Sequence, residues 1–329
     1  MKRKHSLLTI VKTVWVLLLC AILCSCTDAP YSENGKLNIV TVDFVQYDFA
    51  RSICQNSANI KMIMKPGAEI HGYEPSLSDI TTIRNADLFI YNGGESDVWI
   101  DKILESFDSK DLNTVRLMDY AVLIEEAHSA HSHSHNSQHS VHDHTGEDEC
   151  IDKHGYDEHI WTSPSNAVIM LDAICNAVCD ENPEMTNEYQ KNKSDYAKEI
   201  MSLGNEFKKA CDNSESRFAV VADRFPFLYL FHEYDIDYMA VFPGCSHEND
   251  ANPSVIIDII EKTKTNNIPC IFYTETSDQK AAETICNETG AEKKMLHSCQ
   301  RISKEDFENG VRYADIMEEN FKVLKEVFE

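Results

Sequence analysis

Short apolar runs alternate with amphipathic stretches in two series along this chain, and one long helical stretch, 183–210, stands between them. The runs have strand length, and the stretches carry the 3.6-residue spacing of helices. The first series reads as strand 37–44, helix 47–56, strand 60–64, helix 76–85, strand 87–91, helix 95–107 and strand 115–117, with a further helix at 166–179. The second reads as strand 217–222, helix 226–233, strand 238–242, helix 253–264, strand 269–274, helix 279–288, strand 293–296 and a closing helix 311–327. Such alternation predicts parallel β-α units, an α/β fold with four strands before the divider and four after it. In the divider, Asn182 precedes Pro183 as a helix-start signal. Tyr189, Tyr196, Ile200 and Leu203 form an apolar stripe on an otherwise charged helix, as expected of a rigid connector between two halves.

A length of 329 residues fits roughly two domains. The formal net charge of -25 argues against a nucleic-acid partner. The first 25 residues read as an export signal: basic Lys2, Arg3 and Lys4, an apolar run at 14–23, then Leu23-Cys24-Ser25-Cys26. This ending resembles a bacterial lipobox, which implies cleavage before Cys26 and a lipid on its sulfur. The apolar run is short for a spanning helix, so the expected location is extracytoplasmic, lipid-anchored to the bacterial cell membrane. Residues 26–36 then form a tether. Of twelve cysteines, nine remain after Cys20, Cys24 and Cys26 are set aside, an odd number that leaves at least one thiol free or liganded. Cys175 and Cys179 share a helix face and read as buried packing residues.

Between the two series the pattern breaks. Residues 128–144 hold seven histidines, His128, His131, His133, His135, His139, His142 and His144, spaced mostly by serine and followed by acidic Glu147, Asp148, Glu149 and Asp152. Such a stretch cannot build a core and is expected to be a disordered loop whose composition favours metal.

Metal-competent side chains also follow the predicted strands or sit in ordered loops: His71, His159, Cys245, Glu275 and His297. Ligands of α/β sheets gather at the carboxyl ends of the strands. Imidazole nitrogens suit zinc and other late divalent ions, whereas calcium and magnesium want oxygen.

The segments GAEIHGYEPS (67–76), NGGESDVWIDKILES (92–106), DEHIWTSP (157–164) and YADIMEENFKVLKEV (313–327) resemble those of the cluster A-I solute-binding lipoproteins of zinc and manganese ABC importers, the zinc branch most closely. The histidine-rich stretch lies where zinc-type members carry one. The resemblance spans nearly all of 37–327. It implies two lobes, each a four-stranded parallel sheet flanked by helices, joined by one long backbone helix. The corresponding organisation is signal 1–25, tether 26–36, N-terminal lobe 37–182, connecting helix 183–212 and C-terminal lobe 213–329. It implies a monomeric, non-catalytic receptor that holds Zn2+ in the cleft between lobes and delivers it to the permease of an ABC importer. His71 and His159 match the first two ligands. The third position is Ala222, which cannot ligate, and its neighbour Asp223 matches a non-ligand aspartate. The fourth position is His297. The vacancy left by Ala222 falls to Cys245, to Glu275 or to water. Cys245 reads equally as ligand or buried thiol, and Glu275 more as an outer hydrogen-bond acceptor for an imidazole.

Two other readings are open. A manganese receptor of the same family is disfavoured by the histidines and a thiolate. An exported zinc hydrolase would need Glu275 as general base beside the metal, and the chain has no H-E-x-x-H and no nucleophile elbow. An adhesive role for the same fold is a further alternative.

Overall fold

Ile39 and Val40 are neighbours in one strand, yet both are buried. A strand tolerates this only when helices cover both faces of its sheet, which is why such strands read as continuous apolar runs. The computed structural model describes residues 35–68, 73–107, 112–126, 131–132, 155–214, 217–242 and 252–328. In it β1 (Leu37–Thr41), β2 (Ala58–Met62), β3 (Leu88–Tyr91) and β4 (Asn113–Arg116) form a parallel sheet in the order β2-β1-β3-β4. Its helices are α1 (Phe44–Cys54), α2 (Leu77–Arg84) and α3 (Val98–Glu105). The first helix starts earlier than its apolar spacing predicts. Asp43 accepts from Val45 N and Gln46 reaches back to Asp43 N, a capping box that ends the preceding strand.

The second sheet repeats the plan. β6 (Phe218–Arg224), β7 (Asp237–Phe242), β8 (Cys270–Thr274) and β9 (Glu292–Leu296) lie parallel in the order β7-β6-β8-β9. One element departs from expectation. His131 and Ser132, inside the stretch read as a disordered loop, form β5 and pair antiparallel with Met239 and Tyr238 on the open edge of β7. This sheet therefore has five strands. Backbone pairing alone makes so short a strand, and no apolar alternation announces it. The other residues of 127–154 lie outside the described residues.

Between the sheets run α4 (Pro164–Glu181) and α5 (Thr186–Asn213). The latter is about 42 Å long at 1.5 Å per residue. Pro183–Met185 form a 3-10 turn ahead of it, and Asn182 gives its side chain to the Tyr189 hydroxyl at 3.3 Å instead of capping. Tyr189, Tyr196 and Ile200 are buried along the predicted stripe, with Leu203 partly so. Gly204 sits where a Cβ would come within 2.7 Å of the Tyr234 hydroxyl and 3.1 Å of Pro164 Cβ, so glycine permits the close packing there.

The remaining helices are α6 (Leu228–Glu233), α7 (Pro253–Asn266), α8 (Lys280–Thr289), α9 (Lys304–Glu308) and α10 (Tyr313–Phe328). The core explains how two lobes become one body. Val40, Phe89 and Ile100 pack in an outer core of the first lobe, and Val220, Ile259 and Ile285 in an outer core of the second. The inner faces share a single cluster that includes Ile39, Leu88, Tyr196, Val221, Phe231 and Phe272. A buried carboxylate pins the same seam. Asp48 of α1 accepts from the Tyr196 hydroxyl (2.5 Å), from Tyr313 N (3.0 Å) and from Arg51 (2.5 Å). Burial pushes its carboxyl above the usual range, and those donors counter it. All seven cysteines among the described residues are free, and Cys175 Sγ lies 4.0 Å from Cys179 Sγ.

Candidate metal centre

His159 is only 2% exposed. It ends an extended approach from Asp157 and precedes a 3-10 turn, Ile160–Thr162. Ser163 then caps α4 by accepting from Asn166 N at 3.0 Å, with Pro164 at the first helical position. Asp157 holds the histidine twice: its Oδ1 accepts from His159 N at 2.8 Å and from His159 Nδ1 at 3.1 Å. An imidazole that donates from Nδ1 to a carboxylate carries its proton there and its lone pair on Nε2, the arrangement of a metal-ligating histidine.

The turn NGGES (92–96) is the floor beneath that loop. Glu158 accepts from Ser96 N (2.8 Å) and Ser96 Oγ (2.5 Å), while Asn92 Nδ2 donates to the Glu158 carbonyl (2.8 Å). A Cβ on Gly94 would lie 2.3 Å from Glu158 Cβ, so the approach requires glycine. Asp97 Oδ2 ties the turn by accepting from Asn92 N and Gly93 N, both at 2.9 Å. Burial, seconded by Asp43 and Glu158, pushes the Asp97 carboxyl up to about 8 despite those two donors. Burial likewise lifts Asp43 to about 7.

His297 is held differently. Asn320 of α10 clasps its backbone, accepting from His297 N and donating to His297 O, both at 2.8 Å. The ring is half-buried, and its Nδ1 accepts from Cys299 N at 3.0 Å. A neutral ring that accepts at Nδ1 carries its proton on Nε2, the opposite tautomer to His159. Glu275 lies 3.9 Å from that ring, but its carboxylate accepts from Ser298 N (2.9 Å) and Ser298 Oγ (2.6 Å). It therefore shapes the loop after β9 and, among the described residues, is not hydrogen-bonded to an imidazole. Ala222 is buried in the outer core of the second sheet, and Asp223 is turned to Thr274, accepting from its hydroxyl at 2.6 Å.

The loop after β9 meets both the segment of His159 and the segment that leads toward His71. Trp161 Nε1 donates to Ser298 O at 2.8 Å. Gly67 N, in the segment leading to His71, donates to Ile302 O at 2.8 Å, and Arg301 returns a bond to Gly67 O at 3.0 Å. The seam between these segments narrows to a cavity of about 10 Å³ bordered by Phe44, Met64, Gly67 and Gln300. His71, Cys245 and the histidine side chains at 128, 131, 133, 135, 139, 142 and 144 lie outside the described residues. Among the described residues, no three His, Cys, Asp or Glu side chains are grouped to hold a metal ion.

Several supporting residues escape a reading for ligands. Asp157 has a local signal, an acid two residues before a histidine. Trp161 and Ser298 each stand within two residues of a histidine, but nothing in the sequence says that they bond to each other, and Tyr229 and Glu233, which bond to Asp157 and Ser163 from far along the chain, have no signal.

A family model for the periplasmic zinc-uptake complex component A matches residues 39–327. The zinc-binding lipoprotein AdcA of Streptococcus pneumoniae is 27% identical over 311 residues, 94% of this chain, which spans 59% of that relative's length. The high-affinity zinc uptake system protein ZnuA of Bacillus subtilis is 25% identical over 295 residues, 90% of this chain and 88% of the relative. The Zn(II)-bound ZnuA-like domain of S. pneumoniae AdcA superposes with a TM-score of 0.71 at 25% identity, over 89% of this chain and 99% of that domain. Two parallel sheets, the bridging helix and a match from residue 39 to residue 327 establish that the chain belongs to the zinc-uptake complex component A family.

Proposed function

We propose that this protein is a receptor for Zn2+ outside the membrane, which passes the ion to the permease of an ABC importer. His71, His159 and His297 hold the metal, and Cys245 is the candidate for the place that Ala222 leaves empty. The observation that carries this reading is the fixed ring of His159: its Nδ1 is committed to Asp157, and its loop is bonded to the loop of His297 through Trp161 and Ser298. His297 joins when its ring leaves Cys299 N and presents a lone pair to the ion. The stretch 128–144 gathers zinc nearby. Residues 1–25 are the export signal, Cys26 carries the lipid, and 26–36 tether a monomer whose lobes, 37–182 and 213–329, flank the connector 183–212. No helix among the described residues is long and apolar enough to cross a membrane.

A receptor, and not a hydrolase, is favoured because Glu275, the only base offered for activating water, spends both oxygens on Ser298. Zinc in place of manganese is favoured by the imidazole-rich donor set and by the names of the relatives. Calorimetry on soluble protein starting after Cys26 tests the reading. One tight stoichiometric Zn2+ site plus weaker sites is expected, and removal of 128–144 should abolish only the weaker ones. Loss of the tight site on that deletion would move the centre to the histidine-rich stretch and overturn the assignment.

A further inference from the structure

The two ends of the histidine-rich segment close on a short antiparallel stem. Glu126 N donates to Gly155 O at 2.7 Å, Asp157 N donates to Ile124 O at 3.0 Å, and Glu125 bridges to Tyr156 between them. The last residue of this stem, Asp157, is also the residue that orients His159. Whatever sets the stem therefore sets the histidine.

A side chain from the other lobe sits across the stem. Tyr229 of α6 is 2% exposed. Its hydroxyl accepts from Ile124 N at 3.2 Å on one leg and donates to Asp157 O at 2.7 Å on the other. Burial holds the phenol well above its usual range, so it stays protonated and remains a donor. One turn later on the same helix, Glu233 accepts from the hydroxyls of Ser163 and of Ser165 (2.7 Å) and from Ser165 N (3.3 Å). α6 thus grips the chain both before and after His159.

We propose that Tyr229 is a positioning residue for the metal centre: by bonding both legs of the stem it fixes Asp157, and through Asp157 the Nδ1–H tautomer and direction of His159. The proposal rests on His159 being a zinc ligand. It also gives the β6–α6 unit a role. Ala222, within β6, is packed in the outer core and brings no imidazole to the ion. The same unit reaches the centre through a hydroxyl that orients the first lobe's ligand.

Tyr229→Phe removes the donor and the acceptor while keeping the ring. Long-range proton–nitrogen spectra of the metal-free protein report the His159 tautomer, and competition with a chelator reports Zn2+ affinity. In the variant His159 should populate both tautomers, and the affinity should fall about 10-fold, the low end for loss of a partner behind a metal ligand. Tyr189→Phe is the matched control. It loses a buried hydroxyl bonded to Ser57 and Asn182, remote from the centre, and should lower the melting temperature alone. Glu233→Gln should move affinity in the same direction as Tyr229→Phe, by less. If Tyr229→Phe also changes only the melting temperature, with tautomer and affinity as in wild type, the hydroxyl is merely structural and the proposal fails. If instead His159→Ala binds Zn2+ as wild type does, the ligand assignment fails, and the tautomer spectrum of Tyr229→Phe still decides what the hydroxyl does.

Discussion

The two described histidine loops are built to opposite specifications. His159 is enclosed, its Nδ1 donates to a carboxylate, and its loop is bonded to both lobes. His297 is half-buried, its Nδ1 accepts from a backbone N–H, and Asn320 clasps its backbone on both sides. The first ring is oriented by its carboxylate before an ion arrives. The second must break a bond of about 1 kcal/mol net and change tautomer first. Preorganisation lowers the cost of binding, so the first loop should dominate affinity and the second should govern how the site closes and releases.

The widest test of that asymmetry is the pair His159→Ala and His297→Ala. The first should weaken Zn2+ by about 1,000-fold or more, since each 1.4 kcal/mol is a factor of ten. The second should cost about 10- to 100-fold, and still more than Cys245→Ala. Chelator competition measures all three, and equal losses at 159 and 297 would remove the asymmetry. A narrower test compares the supports. Asp157→Ala should lower affinity about 10- to 100-fold, as loss of a partner behind a ligand does. Asn320→Ala should chiefly lower thermal stability, because it clasps backbone and not the ring.

Acid separates the loops a third way. Ligating imidazoles must be neutral, so Zn2+ affinity should fall as pH drops through the histidine range near about 6.5. Stopped-flow release at pH 5.5 and pH 7.5 should show faster loss at the lower value in wild type. Asp157→Asn removes the negative charge that favours a protonated ring, so the difference between the two pH values should shrink; an unchanged difference would uncouple them.

The fold was legible where physics leaves a repeating trace. β3 and the first five residues of β6 are covered on both faces and so appear as unbroken apolar runs, and α5 shows its buried stripe through charge on every other face. The start of α1 was misread because the capping box Asp43–Gln46 was passed over in favour of the apolar residues around it. β5 was not legible at all, since an edge pairing of two residues is made by backbone groups that every residue owns. At the centre, the sequence could place His159 and His297 in loops near strand ends, but not their tautomers. Those depend on Asp157 Oδ1 in one case and Cys299 N in the other, which are distinguished by backbone path and not by residue type. Glu275 illustrates the same limit: a carboxylate beside a predicted ligand was read as a partner for the ring, and Ser298 takes it instead.

The smallest expected effect concerns the floor of the first loop. Asp97 is pushed up to about 8, chiefly by burial, against about 3.9 in an unfolded chain. Between those two values the folded protein carries a proton that the unfolded chain lacks. Stability from this group is therefore greatest below the lower value and declines as pH rises toward the upper one. Asp97→Asn keeps an oxygen for Asn92 N and Gly93 N and has no charge to bury. It should flatten the decline and raise stability at pH 8 by at least about 1.4 kcal/mol, the worth of one pKa unit, as read from urea midpoints of the metal-free protein. Zn2+ affinity should change less than about 3-fold, or about 0.7 kcal/mol, because the amide still ties the turn under Glu158. A midpoint that stays equal to wild type from pH 5 to pH 8 would mean that the buried carboxyl finds compensation elsewhere, and that the His159 loop rests on a floor that costs nothing to bury.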